Sequence, residues 1–487
     1  MDKQAGKEKE THLEMNKKEL DAKMRKTFTL ILVVVMSLTL VLAGCSSGNG
    51  NAGSSNQNQA PASTPDAEGA TNQTNEQAEA PKETVTLKWG TWMGEEEAKQ
   101  IIEAFEATHP HIKIETDPAV TWPWNEKLAA VAAAGQLPDV TWTFGVPVAA
   151  ANGWLEDLAP YLAADPDFQA GNTFKNLDDT ANYNGKQYAL PHTLLMFGVF
   201  LNLDLFEKEN IPVPPANWTV DDMREAAVAL TKYNDNQFGM ANLKGMRETL
   251  SSAFDPSLGW NTWDGEKFNF TSPAFKEAVT YIDELLYSDK VSLDIYKQEE
   301  KEQWYGKDKN PWMLGKIGMQ YDGTWLINGS IQDAKFKWDI RPLPGDDGQR
   351  IPLITDYVGI TKSSQHKEEA FEFVKWLTYS KEGWMERMKP EWPLGTIPLI
   401  NDEEVWNAYL GREDMPAGMQ DLIAMIPEGF ADPIKWLPGY IDGLGIYHET
   451  FKQIDERQAK LEDVAPDLEK RMNDAYKTAL DQLNAVQ

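Results

Sequence analysis

From Thr84 onward the apolar residues keep changing period, and that alternation limits the fold more than any other feature of the chain. "TVTLKWG" puts Val85, Leu87 and Trp89 on one side of an extended segment, the two-residue period of a strand. "GEEEAKQIIEAFEATHP" then places Ala98, Ile101, Ile102 and Phe105 at helical spacing. Glu95, Glu96 and Glu97 sit at its start, where carboxylates suit the helix dipole. "HIKIE" is a second strand, "WNEKLAAVAAAGQLP" a helix closed by Gly135, and "DVTWTFG" a third strand. Strand and helix in alternation predict an α/β fold, a parallel sheet with helices on its faces. The pattern continues. "KQYALP" and "FGVFLNLDLF" read as two strands, and Thr219 as the N-cap of a helix. "GKIGMQYDGTW", "WDIRPLPG" and "YVGITKSS" carry strand signals. "KEEAFEFVKWLTYS" and the tail from Pro466 carry helical ones. No internal repeat is visible.

The residues before Thr84 are of another kind. Lys23, Arg25 and Lys26 precede an apolar run from Phe28 to Leu42, the layout of a secretory signal and short of the ~20 residues a spanning helix needs. Leu42-Ala43-Gly44-Cys45 resembles the lipobox of bacterial lipoproteins. That resemblance implies cleavage before Cys45, acylation of its thiol, and anchorage to the cell membrane through palmitate-type lipid. Residues 1–44 are then a signal peptide, begun at Met1, Met15 or Met24. Cys45 is the only cysteine, so disulfides are excluded. From Ser46 to Glu83 there is no aromatic residue and no Val, Ile, Leu or Met. Such a segment buries too little apolar surface to offset ordering and is expected to be a disordered linker, 45–83.

The chain has 46 basic and 76 acidic residues, of which 8 and 6 lie in residues 1–44, so the remainder carries a formal charge of −32. That disfavours nucleic acid as a partner. No GxSxG, HExxH, GxxxxGK[ST] or strand-to-helix GxGxxG occurs. No EF-hand loop is present either, and the six histidines are scattered. The expectation is therefore no catalytic residues, no metal and no cofactor.

The informative excess is tryptophan, 18 residues, all beyond Thr84. Trp89, Trp154, Trp338 and Trp376 sit in structural settings. Others follow strands or lie in Pro/Gly-rich loops: Trp92, Trp122, Trp142 with Phe144, Trp325, Trp392 and Trp436. Ligands of open parallel sheets bind beyond the strands' carboxyl ends, so these aromatics are candidates for one binding platform. A pyranose offers a face of C–H bonds that the negative face of an indole attracts. Its hydroxyls then need short polar partners, and His192, Asp322, Asp356 and Tyr357 lie in suitable loops.

An ordered series of segments carries a family resemblance: "LKWGTW", "GQLPDV", "YNGKQYALP", "FLNLDLFEKENIPVPPANWT", "GKIGMQYDGTW", "PLPG", "VGITKSSQHKEEAFEFVKWLT" and "PLGTIP". Together they resemble the extracellular solute-binding proteins of ABC importers, in their maltose-binding-protein-like, sugar-binding cluster. The resemblance implies a two-lobe periplasmic-binding-protein-like fold with three hinge crossovers, near "PHTLLMFG", "TDYVG" and "WPLGTIP". Lobe 1 would hold residues 84–193 and 357–393, and lobe 2 residues 194–356 and 394–487. Trp325 and Trp436 match positions where members stack aromatics on sugar, and Trp142 a first-lobe contact. Trp92, Trp122, Phe144, His192, Asp356, Tyr357 and Trp392 extend that set from local setting. Many relatives carry small residues where this chain has Asp356-Tyr357.

The implied function is capture of an oligosaccharide outside the cell and its delivery to the transmembrane subunits of an ABC permease. Two other classes fit parts of the sequence. A receptor for a cationic solute, a polyamine or peptide, suits the acidic charge. An exported glycoside hydrolase would also carry loop tryptophans and carboxylates.

Overall fold

Two antiparallel strands organise the computed structural model, which describes residues 83–486 apart from 122, 169, 170, 347 and 396. The signal segment, Cys45, nearly all of the linker and Trp122 lie outside the described residues. The sheet contains β1 (Val85–Gly90), β2 (Ile112–Thr116), β3 (Val140–Thr143), β4 (Leu190–Asn202), β5 (Phe238–Ala241), β6 (Ile317–Gly323), β7 (Trp338–Arg341), β8 (Pro352–Ile360) and β9 (Phe430–Ala431). Its order is β2-β1-β3-β8-β4-β6-β5, with β9 beside β8 and β7 beside β4.

The outer strands are parallel, as the alternation predicts: β1 with β2 and β3, and β5 with β6. The central two are not. β8 and β4 run antiparallel to each other, β8 also to β3, and β4 also to β6 and β7; only the short β9 lies parallel to β8. Tyr357 to Ile360 of β8 pair with β3, while Pro352 and Leu353 pair with β9. On β4, Phe197 to Leu201 pair with β6. Each long strand thus begins in one half of the molecule and ends in the other, which makes the two-lobe architecture. The sequence reads separate strands at Lys186–Pro191 and Phe197–Phe206. Instead Lys186 and Gln187 form a short strand of their own, a helix begins at Leu203, and β4 runs unbroken for 13 residues from Leu190 to Asn202. The break in its pattern falls at a bulge. Asp356 pairs with Thr193 and Tyr357 with Pro191, leaving His192 unpaired between them.

Helices cover the sheet: α1 (Glu95–Thr108), α2 (Trp124–Ala133), α3 (Val146–Ala151), α4 (Val220–Leu230), α5 (Leu326–Asp333), α6 (Lys367–Thr378), α7 (Lys381–Arg387), α8 (Tyr440–Asp455) and α9 (Leu461–Val486). The stripe on α1 buries Ala98, Ile101 and Phe105. Phe105 lies 4.9 Å from Phe373 of α6, and Trp89 of β1 meets the same ring edge-on at 5.2 Å. Trp89 and Trp376 are core residues, as expected from their spacing. In the other half Thr219 caps α4 with Asp222 in a full capping box. Met223, Ala227 and Leu230 then pack on β5 and β6. α9 starts five residues ahead of Pro466 and buries Leu468, Met472 and Leu483. No helix among the described residues is long and apolar enough to cross a membrane.

Helix and sheet approach closely at Gly239 of β5, where an added Cβ would lie 1.8 Å from the Ala227 carbonyl oxygen of α4. Backbone on both sides leaves no side chain to yield. Gly239→Ala is expected to lower unfolding free energy by about 3 kcal/mol, the upper part of the overpacking range. Urea titration would read this as a lower midpoint at unchanged slope.

Candidate functional site

A cleft of about 670 Å³ opens where the two halves meet over β4 and β8. Trp92, in the loop between β1 and α1, lines it from the first half. Trp325, between β6 and α5, lines it from the second. Among the described tryptophans only these two are largely open to solvent, 44% and 46% exposed. Trp325 is braced from behind by Phe197, edge-on at 5.0 Å. Phe197 in turn abuts Trp260 at 5.5 Å, whose indole N–H donates to Glu248. Gly323 permits this pose, since a Cβ there would strike the Trp325 ring at 2.4 Å. Asp322 accepts hydrogen bonds from Gln320 and Asn242 beside it.

The floor is Asp356. Its carboxylate is buried and takes three side-chain donors: Lys435 Nζ at 2.5 Å, Thr193 Oγ1 at 2.8 Å and Trp142 Nε1 at 3.0 Å. Burial alone would push this carboxyl up. The Lys435 ammonium and His192, with the hydrogen bonds, outweigh it and hold the carboxyl below the usual range. Glu97 of α1 lines the same cleft, pushed up by burial of its carboxyl and by Asp356. His192, at the bulge, is buried, and its Nε2 has no hydrogen-bond partner among the described residues. Burial pulls its pKa down to about 4, so the ring is neutral at pH 7; Arg387 and Lys435 push the same way and Asp356 opposes them.

The ten expected contacts therefore separate. Trp92, Trp325 and Asp356 share the cleft. Phe144 and Trp436 line a second cavity of about 360 Å³, with Pro147 of α3, Tyr440 and Ile441 of α8 and Leu483 of α9. Trp142 is buried between, against Asp356 on one side and 5.6 Å from Phe144 on the other. His192 sits beneath, in the floor. Two expectations need correcting. Tyr357 is fully buried among Val146, Ala181 and Ala189, its hydroxyl on Thr180. It follows Asp356 on a strand, so its side chain points to the opposite face. Trp392 is 5% exposed and packs in the main core, while its neighbours Pro393 and Gly395 reach the cleft.

Sequence reading missed Glu97 and Lys435. In the sequence Glu97 reads as one of three acids at a helix start. Lys435 stood beside Trp436 in "PIKWLPG", but nothing local signals that it reaches a carboxylate 79 positions upstream.

The chain matches the model of the bacterial extracellular solute-binding protein family over residues 92–383, and it belongs to that family. An ABC substrate-binding protein of Listeria monocytogenes, solved with cycloalternan, superposes at TM-score 0.65 and 22% identity, covering 81% of this chain and 99% of that one. The sugar-binding protein MalE of Xanthomonas citri superposes at 0.64 and 18% identity, with 81% and 98% covered. An ABC transporter extracellular-binding protein of Pyrococcus horikoshii, itself uncharacterized, is 26% identical over 316 residues, 61% of this chain and 69% of its own length. The family is one of binding proteins, extracellular by description, and the solved neighbours are two-lobed.

The His192 shift has a sign that can be checked. Between its ordinary 6.5 and about 4 the unfolded chain takes up a proton that the folded state refuses. The contribution is therefore full above pH 6.5 and is lost as pH falls toward 4. Asp178 and Asp432, pushed up to about 6 by burial, act oppositely over part of that window. Comparing wild type with His192→Gln cancels them. Relative to the variant, wild type is expected to lose about 3 kcal/mol between pH 7 and pH 4, measured by chemical denaturation at each pH.

Proposed function

We propose that this chain captures an oligosaccharide between its lobes and presents it to an ABC permease, held to the outer face of the cell membrane by a lipid on Cys45. The observation that carries the reading is the pair of half-exposed indoles, Trp92 and Trp325, one from each half, lining one cleft. Exposed tryptophan is costly to keep wet, and a ligand with a flat C–H face relieves that cost on both walls. Glu97 and Asp356 line the same cleft and offer acceptors to hydroxyls. The volume falls within the range of small-ligand sites. The solved relatives include one with a cyclic oligosaccharide and one described as sugar-binding.

The mechanism is a population shift. Ligand contacts to both lobes favour the closed arrangement, with the crossovers at 193/194, 356/357 and 393/394 as hinges between the lobe segments given above. No bond is made or broken, so no side chain needs a catalytic role. The lipid anchor rests on the lipobox and the preceding basic and apolar segments alone. Glu97 keeps a second reading in play, because a partly buried carboxyl beside aromatics also suits a cationic solute.

An oligosaccharide panel screened by thermal shift is expected to raise the melting temperature for at least one member, by mass action. For that sugar, Trp92→Ala and Trp325→Ala should each weaken binding roughly 30-fold, about 2 kcal/mol, by calorimetry. The unliganded melting temperatures should barely move, since both rings are half in water. Affinity should also be nearly flat with ionic strength. A steep loss with salt would favour the cationic solute instead.

A further inference from the structure

Two cavities at the seam have walls that are linked by an ion pair. Asp356 stands in the wall of the larger cavity and Lys435 in the wall of the smaller. Their charged ends meet at 2.5 Å. Both partners are fixed from other directions. Asp356 is held by Trp142 of β3 and Thr193 of β4. Lys435 also donates to the Thr355 carbonyl at 3.2 Å. Trp142 extends the partition, because its ring lies against Phe144, which lines the smaller cavity. Beyond the partition the smaller cavity has the character of a binding groove: Phe144, Trp436 and Tyr440 supply aromatic wall, and Ile441 is 46% exposed.

We propose that the Asp356–Lys435 pair, braced by Trp142, is a septum that sets the length of ligand the cleft accepts. This rests on the oligosaccharide reading. A sugar chain lying on Trp92 and Trp325 and extending over the floor ends against Asp356, with the Lys435 stem behind it. With that stem shortened, the two cavities join and the chain continues past Phe144 and Ile441. The residues are specificity-determining through shape, and the charges serve to hold the shape in place.

The test measures affinity by calorimetry for two ladders, α-1,4-linked glucose oligomers and β-1,4-linked mannose oligomers, each from the disaccharide to the heptasaccharide. In wild type, affinity is expected to stop rising at a short member. Lys435→Ala alone would strand a buried carboxylate, so it is combined with Asp356→Asn. In that double variant the plateau moves at least two sugars longer, and the longest member binds about tenfold tighter than to wild type. Asp356→Asn with Lys435→Met removes the same charges but keeps a long stem, and should keep the wild-type plateau. In otherwise wild-type protein Ile441→Ala should leave every affinity unchanged, a measurement that needs no septum variant to fold. A plateau that stays put in the alanine double variant overturns the septum while leaving sugar binding intact. So does a wild-type affinity that still climbs at the heptasaccharide, or one that falls in Ile441→Ala. Wild type that binds no member of either ladder overturns the oligosaccharide reading for these linkages and the septum with it.

Discussion

Everything in the site depends on β4 and β8 running side by side through both halves. Because the two strands are antiparallel and shared, each lobe's parallel strands are completed by a strand that belongs equally to the other lobe. The seam therefore has a hydrogen-bonded floor, and any ligand held there touches segments anchored in both halves. The bulge at His192 marks where the floor changes register. A bulge bends and twists its strand, and this one lies beside the crossover proposed as a hinge at 193/194.

The same spot concentrates buried charge. Taking an aspartate and a lysine out of water costs more than their attraction returns unless geometry and further hydrogen bonds are good. Asp356 meets that condition through Thr193 and Trp142. Even so, an apolar pair of similar shape would have served stability as well. What the ion pair supplies is direction. Lys435 comes from the segment after β9, Trp142 from β3 and Thr193 from β4, and only one arrangement satisfies all three donors at one carboxylate. The pair is better understood as fixing where segments lie than as strengthening the fold, and buried polar groups have their best-attested use in that role.

How far sequence reaches is clear from particular residues. The strand–helix alternation, the capping at Thr219 and the core places of Trp89 and Trp376 were legible, because each follows from spacing within a dozen residues. The pairing of Trp92 with Trp325 was legible only as a class, loop aromatics beyond strand ends, and their meeting depends on β4 and β8 bringing distant segments together. Asp356 and Tyr357 read in the sequence as neighbours in a loop. They lie instead in a strand, whose alternation sends one to the cleft and the other into the core. Trp392 shows the opposite failure: a Pro/Gly-rich setting marked it as exposed, yet it is packed and its smaller neighbours reach the site. Lys435 had no local signal at all, since its meaning is its partner.

Among the tryptophans, exposure separates candidates for ligand contact from structural residues better than residue type does. Trp142 and Trp260 are as aromatic as Trp325, but their faces are covered. They contribute rigidity. Trp325 is held from behind by Phe197 and its ring stays open in front. A platform fixed in this way loses little rotamer freedom when a ligand arrives, so more of the contact energy appears as affinity. On the proposed reading, covering both Trp92 and Trp325 at once requires a ligand between the lobes, so their open apolar surface would favour closure. A ligand that covered only one ring would bind without favouring the closed form, because it would touch one body alone.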